Sequence, residues 1–274
     1  MAWFESFRDR VVLVTGASSG IGRATALAFA AAGARVALVA RRQALLDAVA
    51  AEAGDGRALA IATDVTEAAA VGAAFDRVVA TWGAVDVVVN NAGVLLPSAV
   101  VDITARDLDA MLRVNVFGAL FVMQEAVRRM RRQGGGTIVN VASLAGRRGY
   151  SPLGGYSATK FALVGLTEAL RTELHGEPIH VALVEPGVVE TPMVEQITHD
   201  EEFLDIWPSA LNMPPSWVVW AIFAAVRFRL VEVGVPPGAA TIEKLAALAP
   251  GVADTVVRWA QSVGQWVAGS KRGG

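Results

Sequence analysis

The stretch that decides the fold is Val11-Val12-Leu13-Val14, followed directly by Thr15-Gly16-Ala17-Ser18-Ser19-Gly20-Ile21-Gly22. The apolar run predicts a buried strand, and the residues after the glycines predict a helix over Ile21 to Ala32. Gly16 permits a tight turn, Gly20 lets backbone amides approach a phosphate, and Gly22 allows close helix packing. A glycine triplet alone can mark only a turn. Its place between strand and helix, whose N-terminus attracts negative charge, predicts dinucleotide binding.

Further apolar runs alternate with helical segments, which indicates repeated βαβ units. The runs are almost continuously apolar, as expected for parallel strands covered by helices on both faces. Right-handed crossovers then give a doubly wound α/β fold of the Rossmann type. Val231 to Val235 is a candidate seventh strand, although two prolines and a glycine crowd it. The other predicted strands are Val11 to Val14, Arg35 to Ala40, Ala58 to Ala62, Val85 to Val89, Thr137 to Val141 and His180 to Val184.

The chain has 274 residues and no visible interdomain linker, so a single domain is expected. Long helices are predicted over Asp107 to Arg132 and Gly154 to Leu174. We expect residues 9–192 to form the cofactor-binding and catalytic core, and residues 193–274 to form a substrate-covering segment with a helical C-terminal lid. The apolar positions that predict the helical tail are Val252, Val256, Trp259, Val263 and Trp266.

Composition excludes several classes of protein and of site. Lysine and arginine total 24 against 26 acidic residues, which gives no general attraction to nucleic acid. The chain has no cysteine, and its three histidines have no metal-binding spacing, so no metal site and no Ser-His-Asp hydrolase is expected. The apolar run Trp217 to Val226 is shorter than the ~20 residues that span a bilayer. No signal-peptide core follows Met1, and a cytoplasmic protein is expected.

The end of the second predicted strand bears on the choice of cofactor. An acidic residue there would bind the ribose 2′-hydroxyl of NAD, but the position holds Ala40. Arg41 and Arg42 follow, and a guanidinium suits a 2′-phosphate by charge and by geometry. NADP(H) is therefore favoured over NAD, although both arginines could simply be solvated residues at a helix start.

Several motifs occur together in one order. The glycine spacing is T-G-x-x-x-G-x-G, Asn91-Ala92-Gly93 follows the fourth strand, and Ser143 precedes Tyr156-x-x-x-Lys160 by thirteen residues. Asn115 lies between them, and Pro186-Gly187 ends the sixth strand. In these features residues 11 to about 192 resemble the short-chain dehydrogenase/reductase family. After Pro192 the chain follows no clear family pattern, and the seventh strand lacks the usual glycine-rich ending.

The resemblance implies roles for further residues. Asp64 and Val65 would bracket the adenine, Asn91 to Gly93 would pack against the ribose, and Val188 and Thr191 would hold the nicotinamide carboxamide. Asp64 could instead cap a helix, and Asn91 could be a turn residue. A homodimer or homotetramer through the two long helices is also implied. The full expected cofactor set is Gly16, Ser18, Ser19, Gly20, Ile21, Gly22, Arg41, Arg42, Asp64, Val65, Asn91, Ala92, Gly93, Tyr156, Lys160, Pro186, Gly187, Val188 and Thr191.

Tyr156 and Lys160 lie four residues apart on a predicted helix, so they share one face. A free tyrosine has a pKa near ~10, and a nearby ammonium would lower that pKa and allow acid/base catalysis. Ser143 would hold the substrate oxygen. By resemblance, Asn115 completes a tetrad by holding a water that links Lys160 to solvent.

A carbonyl or secondary alcohol is the expected substrate, and the pocket predicted between Leu144 to Gly155 and Val188 to Met213 is mainly apolar. One alternative is a non-catalytic protein that senses NADP(H) on the same fold. Another is a dehydratase or epimerase, which would need a different glycine spacing. The predicted apolar pocket residues are Leu153, Met193, Trp207, Leu211 and Met213.

Overall fold

The computed structural model describes residues 7–54, 56–195, 212–252 and 255. Within this part of the chain, seven parallel strands form one sheet in the order β3-β2-β1-β4-β5-β6-β7. The doubly wound α/β prediction is therefore confirmed, including the seventh strand. The strands are β1 (Val11–Thr15), β2 (Arg35–Ala40), β3 (Ala58–Ala62), β4 (Val87–Asn90), β5 (Gly136–Val141), β6 (Ile179–Pro186) and β7 (Glu232–Val235).

Helices cover both faces of this sheet. The strand order reverses between β1 and β4, so the loops that follow these two strands diverge and open a crevice at their carboxyl ends. The helices are α1 (Gly20–Ala31), α2 (Gln43–Ala53), α3 (Ala68–Trp82), α4 (Ala105–Leu112), α5 (Ala119–Gln133), α6 (Gly154–Glu173), α7 (Pro192–Glu195), α8 (Pro215–Arg227) and α9 (Ala239–Ala246).

The apolar residues of β1 serve two separate cores. Val12 and Val14 belong to the cluster on one face of the sheet, and Val11 and Leu13 belong to the cluster on the other. Neighbouring side chains of a strand point to opposite faces, so a strand covered on both sides must be apolar throughout. Full burial of each such side chain contributes roughly 1.5–3 kcal/mol. The run before the glycines is thus fixed at the centre of the molecule.

The helix predicted over Asp107 to Arg132 contains a π turn that the sequence did not predict. The turn spans Arg113–Gly118 and separates α4 from α5, and α4 begins at Ala105. Taken as one helix, Ala105–Gln133 has the length and composition of a membrane span. From the sequence, only Trp217 to Val226 was considered as a possible span, and this longer helix was not considered. Its buried residues, such as Met111 and Met130, instead pack inside the fold, as in a core helix.

The segment after residue 192 was expected mainly to cover the substrate, but residues 213–235 of it also form part of the hydrophobic core. Strand β7 pairs with β6, and α8 buries Val218, Ile222 and Phe223 against the sheet. Met213 was predicted to line the substrate pocket, but it is 7% exposed and packs in this core. Trp217 and Trp220 lie exposed on the outer face of α8. Of the other predictions for this segment, Trp207, Leu211, Val256, Trp259, Val263 and Trp266 lie outside the described residues.

Candidate active site

The glycine turn after β1 is closed by contacts that only glycine permits. Gly16 has a φ of +69°, and a Cβ atom there would lie 2.9 Å from Asn91 Nδ2. A Cβ on Gly22 would lie 2.3 Å from the carbonyl oxygen of Gly16. These distances are shorter than van der Waals contact, so the first turn of α1 packs directly on the loop. The cradle that would hold a pyrophosphate depends on this close approach.

Thr15 joins the ends of β1 and β4. Its hydroxyl accepts hydrogen bonds from the backbone amides of Asn91 (2.9 Å) and Ala92 (3.0 Å), and the Asn91 side chain donates to the Thr15 carbonyl (3.0 Å). Asn91 is therefore a connector between two strand ends rather than a turn residue alone. Sequence reasoning singled out Asn91 but missed Thr15, which is fully buried. A threonine just before the first glycine was the available signal.

A groove runs along this edge of the sheet, and we call it the cofactor groove because most of the predicted cofactor residues line it. The two arginines lie on its wall, and Arg42 donates to the hydroxyls of Ser18 (2.9 Å) and Ser19 (3.2 Å). Arg42 thus bridges β2 and the glycine turn, and Arg41 lies exposed beside it. The predicted cofactor residues that line this groove are Gly16, Ser18, Ser19, Gly20, Ile21, Arg41, Arg42, Asp64, Val65, Asn91, Ala92, Gly93 and Thr191.

The Asp64 carboxylate has a local structural task. Its Oδ1 atom accepts from the backbone amide of Thr66 (3.0 Å) and from the Thr66 hydroxyl (2.9 Å). Glu67 occupies the N-cap position of α3, without a side-chain capping bond, so Asp64 stabilises the turn before the helix. Val65 packs against Gly118 of the π turn, where a Cβ would lie 2.8 Å from Val65 Cγ2. Both residues still border the groove.

Asn115 lies inside the π turn and is completely buried. Its amide nitrogen donates to the Val94 carbonyl (2.9 Å) and to the Thr159 hydroxyl (2.9 Å), and its oxygen accepts from the Val94 amide (2.8 Å). Asn115 therefore ties the loop after β4 to α6, the helix of Tyr156 and Lys160. π turns are frequent at functional sites. Thr159 was not predicted, and its place between Tyr156 and Lys160 was the only signal.

Ser143 follows β5 and begins a single 3₁₀ turn, Leu144–Gly146. Its hydroxyl donates to the Pro186 carbonyl (3.2 Å) and accepts from the Ala145 amide (3.1 Å). It also lies close to the Tyr156 hydroxyl. The ends of β5 and β6 and the start of α6 therefore meet at this side chain.

Burial decides the protonation of the two ionisable residues of α6. It raises the pKa of Tyr156 to about 12, an effect that the neighbouring Ser143 hydroxyl opposes in part. It lowers the pKa of Lys160 to about 8. The shift of Tyr156 is opposite to the one expected from Lys160 alone. Lys160 Nζ donates to the Val141 carbonyl (3.0 Å) and lies 5.6 Å from the centre of the Tyr156 ring, and desolvation of the phenol is the larger influence.

A second cleft, the candidate substrate cleft, adjoins the cofactor groove. Ile21, Asn91, Gly93, Thr191 and Met193 line both, so groove and cleft are continuous. Leu153 and Met193 line the cleft as predicted. Thr191 also caps α7, because its hydroxyl accepts from the Val194 amide at 3.4 Å. The remaining predicted residues that line the cleft are Ser143, Tyr156, Lys160, Pro186, Gly187 and Val188.

Known proteins resemble the chain in both sequence and fold. Residues 10–202 match the family model for short chain dehydrogenase. The chain belongs to the short-chain dehydrogenase/reductase family. Sorbitol dehydrogenase of Cereibacter sphaeroides is 41% identical over 182 residues, which are 66% of this chain and 71% of that protein.

Two solved structures superpose on most of the chain. The 3-ketoacyl-(acyl-carrier-protein) reductase from Brucella melitensis, complexed with NADH, is 31% identical with a TM-score of 0.77 and covers 84% of this chain and 97% of its own. A short chain dehydrogenase/reductase from Burkholderia phymatum, in complex with NAD, is 25% identical with a TM-score of 0.81 and covers 90% of this chain and 95% of its own. Membership makes the chain an oxidoreductase of a family that uses NAD(P)(H), and gives no support to a binding protein without turnover.

Proposed function

We propose that this protein transfers a hydride between NADP(H) and a small carbonyl or secondary alcohol, with Asn115, Ser143, Tyr156 and Lys160 as its catalytic tetrad. The observation that carries the proposal is the meeting of Tyr156, Ser143 and Lys160 in a cleft continuous with the cofactor groove. The nicotinamide would supply the hydride. The chain's residues would position the substrate oxygen and move its proton.

Tyr156 would act as the acid during carbonyl reduction. Its raised pKa keeps the phenol protonated at neutral pH, which is the form that donates a proton to a developing alkoxide. The Ser143 hydroxyl lies at the same wall of the cleft and would hold the substrate oxygen. Asn115 and Lys160 both lie against Gly93, where a Cβ would be 3.4 Å from Asn115 Oδ1 and 3.8 Å from Lys160 Nζ. A water between them would return the proton.

The walls of the cleft favour an apolar substrate. Most of the surface facing the cleft is hydrocarbon, which includes Leu95 and Leu153, and its polar side chains outside the proposed tetrad are Asn91, Tyr150, Ser151 and Thr191. A largely apolar wall stabilises hydrocarbon groups and offers few partners to the several hydroxyls of a polyol. A hydrophobic ketone or secondary alcohol is therefore the proposed substrate class.

Preference for NADP(H) is supported by charge at the adenosine end of the groove. Arg41 and Arg42 line this end, and the carboxylate that lines the same groove, that of Asp64, is engaged by Thr66. A 2′-phosphate would meet two guanidinium groups there. The two solved relatives were obtained with NADH and NAD, so the preference needs its own test.

Tyr156→Phe tests the reaction. A panel of apolar ketones is offered with NADPH, and absorbance loss of the reduced cofactor is followed. The variant should bind NADPH as the wild type does but lose at least ~10²-fold in kcat, because the proton donor is gone. Turnover near that of the wild type would exclude Tyr156 as the acid.

Arg41→Ala combined with Arg42→Ala tests the cofactor preference. KM for NADPH should rise about tenfold or more, while KM for NADH should change less than about threefold, because only NADPH carries the 2′-phosphate. The matched control is Arg10→Ala, at the opposite end of the strands, where Arg10 pairs with Asp86. Equal losses for both cofactors would refute the preference.

We further propose a homodimer or homotetramer built through the long helices. Phe117 in the π turn and Phe161 on α6 are 49% and 45% exposed, which is unusual for side chains of this size. A cytoplasmic location stays a prediction of the sequence.

A further inference from the structure

Arg147 lies at the end of the 3₁₀ turn that Ser143 begins, and its guanidinium contacts three carboxylates. Nε lies 2.6 Å from Glu185, one terminal nitrogen 3.0 Å from Glu168, and the other 3.1 Å from Glu232. The Arg147 side chain is only 12% exposed, and Glu185 is fully buried. All three nitrogen atoms of the guanidinium are thus committed to fixed partners. A lysine could not reproduce this forked geometry.

Glu168 belongs to the helix of Tyr156 and Lys160, and Glu185 belongs to the strand end that contacts Ser143. Glu185 directly precedes Pro186, whose carbonyl accepts from the Ser143 hydroxyl. The turn Ser143 to Arg147 and the end of β6 are therefore joined twice, by Ser143 to Pro186 and by Arg147 to Glu185. The two contacts close a ring that leaves the Ser143 hydroxyl little freedom.

The third link runs to α6. Tyr156, Lys160, Val164 and Glu168 follow one another at intervals of four residues, so they lie along one face of that helix. Gly146 presses on the same face, where a Cβ would lie 2.9 Å from the Lys160 carbonyl oxygen and 3.0 Å from Val164 Cγ2. The pair Arg147–Glu168 therefore holds the helix of Tyr156 against the turn of Ser143.

Stability alone is a poor reason for such a cluster. Removing two charges from water costs about as much as their attraction returns, and apolar residues of similar size often stabilise a fold equally well. What the cluster does supply is orientation, because each bond of the planar guanidinium fixes a direction.

We propose that Arg147 is a positioning residue, which sets the Ser143 hydroxyl relative to Tyr156 by clamping the 3₁₀ turn to the end of β6 and to α6. This inference rests on the proposed function and adds to it a residue outside the tetrad. Arg147 itself does not touch the substrate.

The test is a double-mutant cycle of Arg147→Met with Ser143→Ala, on the ketone that the wild type reduces fastest. Alone, Arg147→Met should lower kcat about tenfold or more and leave KM for NADPH within about twofold. In the Ser143→Ala background it should lower kcat by less than about threefold, because the group that it positions is absent. Arg147→Lys should recover only part of kcat. If the fold losses of kcat in the two single variants multiplied to give the loss in the double variant, the proposal would be overturned.

A second double variant separates an effect of Arg147 on the position of Ser143 from an effect on the stability of the fold. Arg147→Met with Glu185→Leu replaces the buried ion pair by apolar side chains, so the thermal midpoint should recover while kcat stays low. Recovery of kcat together with the midpoint would show that Arg147 is structural only. Arg10→Met, which breaks the ion pair with Asp86 at the far end of the strands, is the matched control and should keep its kcat.

Amide exchange gives a readout independent of turnover. The Ala145 amide donates to Ser143 Oγ, so peptides that cover residues 142–147 should exchange faster in Arg147→Met, while the peptides of β1 and β2 stay protected. Unchanged exchange in residues 142–147 would overturn the proposal even if no ketone were reduced. Failure of the proposed function would instead appear as a wild type without turnover, or as an active Tyr156→Phe.

Discussion

Lys160 and Tyr156 show how burial acts on single residues of the cleft. Both lose water on folding, and in both the neutral form is favoured: the pKa of Lys160 is lowered and that of Tyr156 is raised. At neutral pH the ammonium of Lys160 is therefore held against its desolvation cost, partly offset by its bond to the Val141 carbonyl. A group kept at such a cost fits a role in the reaction rather than in stability.

Lys160→Met should make this cost measurable. Lys160 has its ordinary pKa of 10.5 in the unfolded chain and about 8 in the folded one, so below pH 8 the folded state is penalised. At pH 7 the variant should be more stable than the wild type by about 3 kcal/mol. From pH 8 to 10.5 the unfolded chain binds more protons, so the wild type gains and the difference should shrink.

The measurement for Lys160→Met is urea unfolding of both proteins between pH 7 and 10. Lys244→Met is the control, and it should gain no stability because its exposed ammonium pairs with Glu232. A difference between wild type and Lys160→Met that stays constant with pH would contradict the prediction.

At the scale of elements, the first β-turn-α unit has a geometry that a single methyl group would break. The close contact of Gly22 with the carbonyl of Gly16 brings α1 onto the loop and points its first amides toward the groove. The interior glycine of α3, Gly72, makes no comparably close backbone contact. A Cβ there would meet Glu125 Oε1 at 3.5 Å, an ordinary contact.

Gly22→Ala should therefore weaken cofactor binding, and Gly72→Ala should not. In Gly22→Ala the loop must shift, and the dissociation constant for NADPH should rise about tenfold or more, measured by calorimetric titration. Gly72→Ala should bind normally and gain roughly 0.5–1 kcal/mol of stability, because alanine loses less backbone entropy than glycine in a helix. Normal binding by Gly22→Ala would show that the cradle tolerates a wider turn.

The elements themselves were largely predictable. Strand β2 was predicted at its observed bounds, because a short unbroken apolar run between turn residues is typical of a buried strand. The π turn at Arg113–Gly118 was not predictable, because one extra residue in a helix changes its backbone hydrogen bonds without disturbing the apolar period enough to notice. Asn115 was identified by resemblance, and its burial inside that turn came from the structure.

On the scale of the whole molecule, the surface of the long helices is the expected site of self-association. Phe117 and Phe161 expose large aromatic surfaces on neighbouring elements, and burial against a second copy would remove them from water.

Phe117→Glu combined with Phe161→Glu should reduce the molecular mass in solution to that of the monomer, measured by light scattering after gel filtration. Two buried carboxylates would oppose association by several kcal/mol. Leu248→Glu, at an 81% exposed position beyond α9, is the control and should keep the wild-type mass. A doubly substituted protein that remained an oligomer would place the interface elsewhere.

The sequence by itself determined the sheet, the glycine turn and the order of the proposed tetrad, because these depend on local chemistry: apolar runs, glycines and a four-residue helical spacing. The tertiary structure decided which distant side chains meet. Only the fold brings Thr15 to Asn91, Thr159 to Asn115 and Arg147 to Glu185, contacts between residues 76, 44 and 38 positions apart. The protonation of Tyr156 also belongs to the fold, because desolvation depends on everything packed around the hydroxyl rather than on the neighbouring lysine alone.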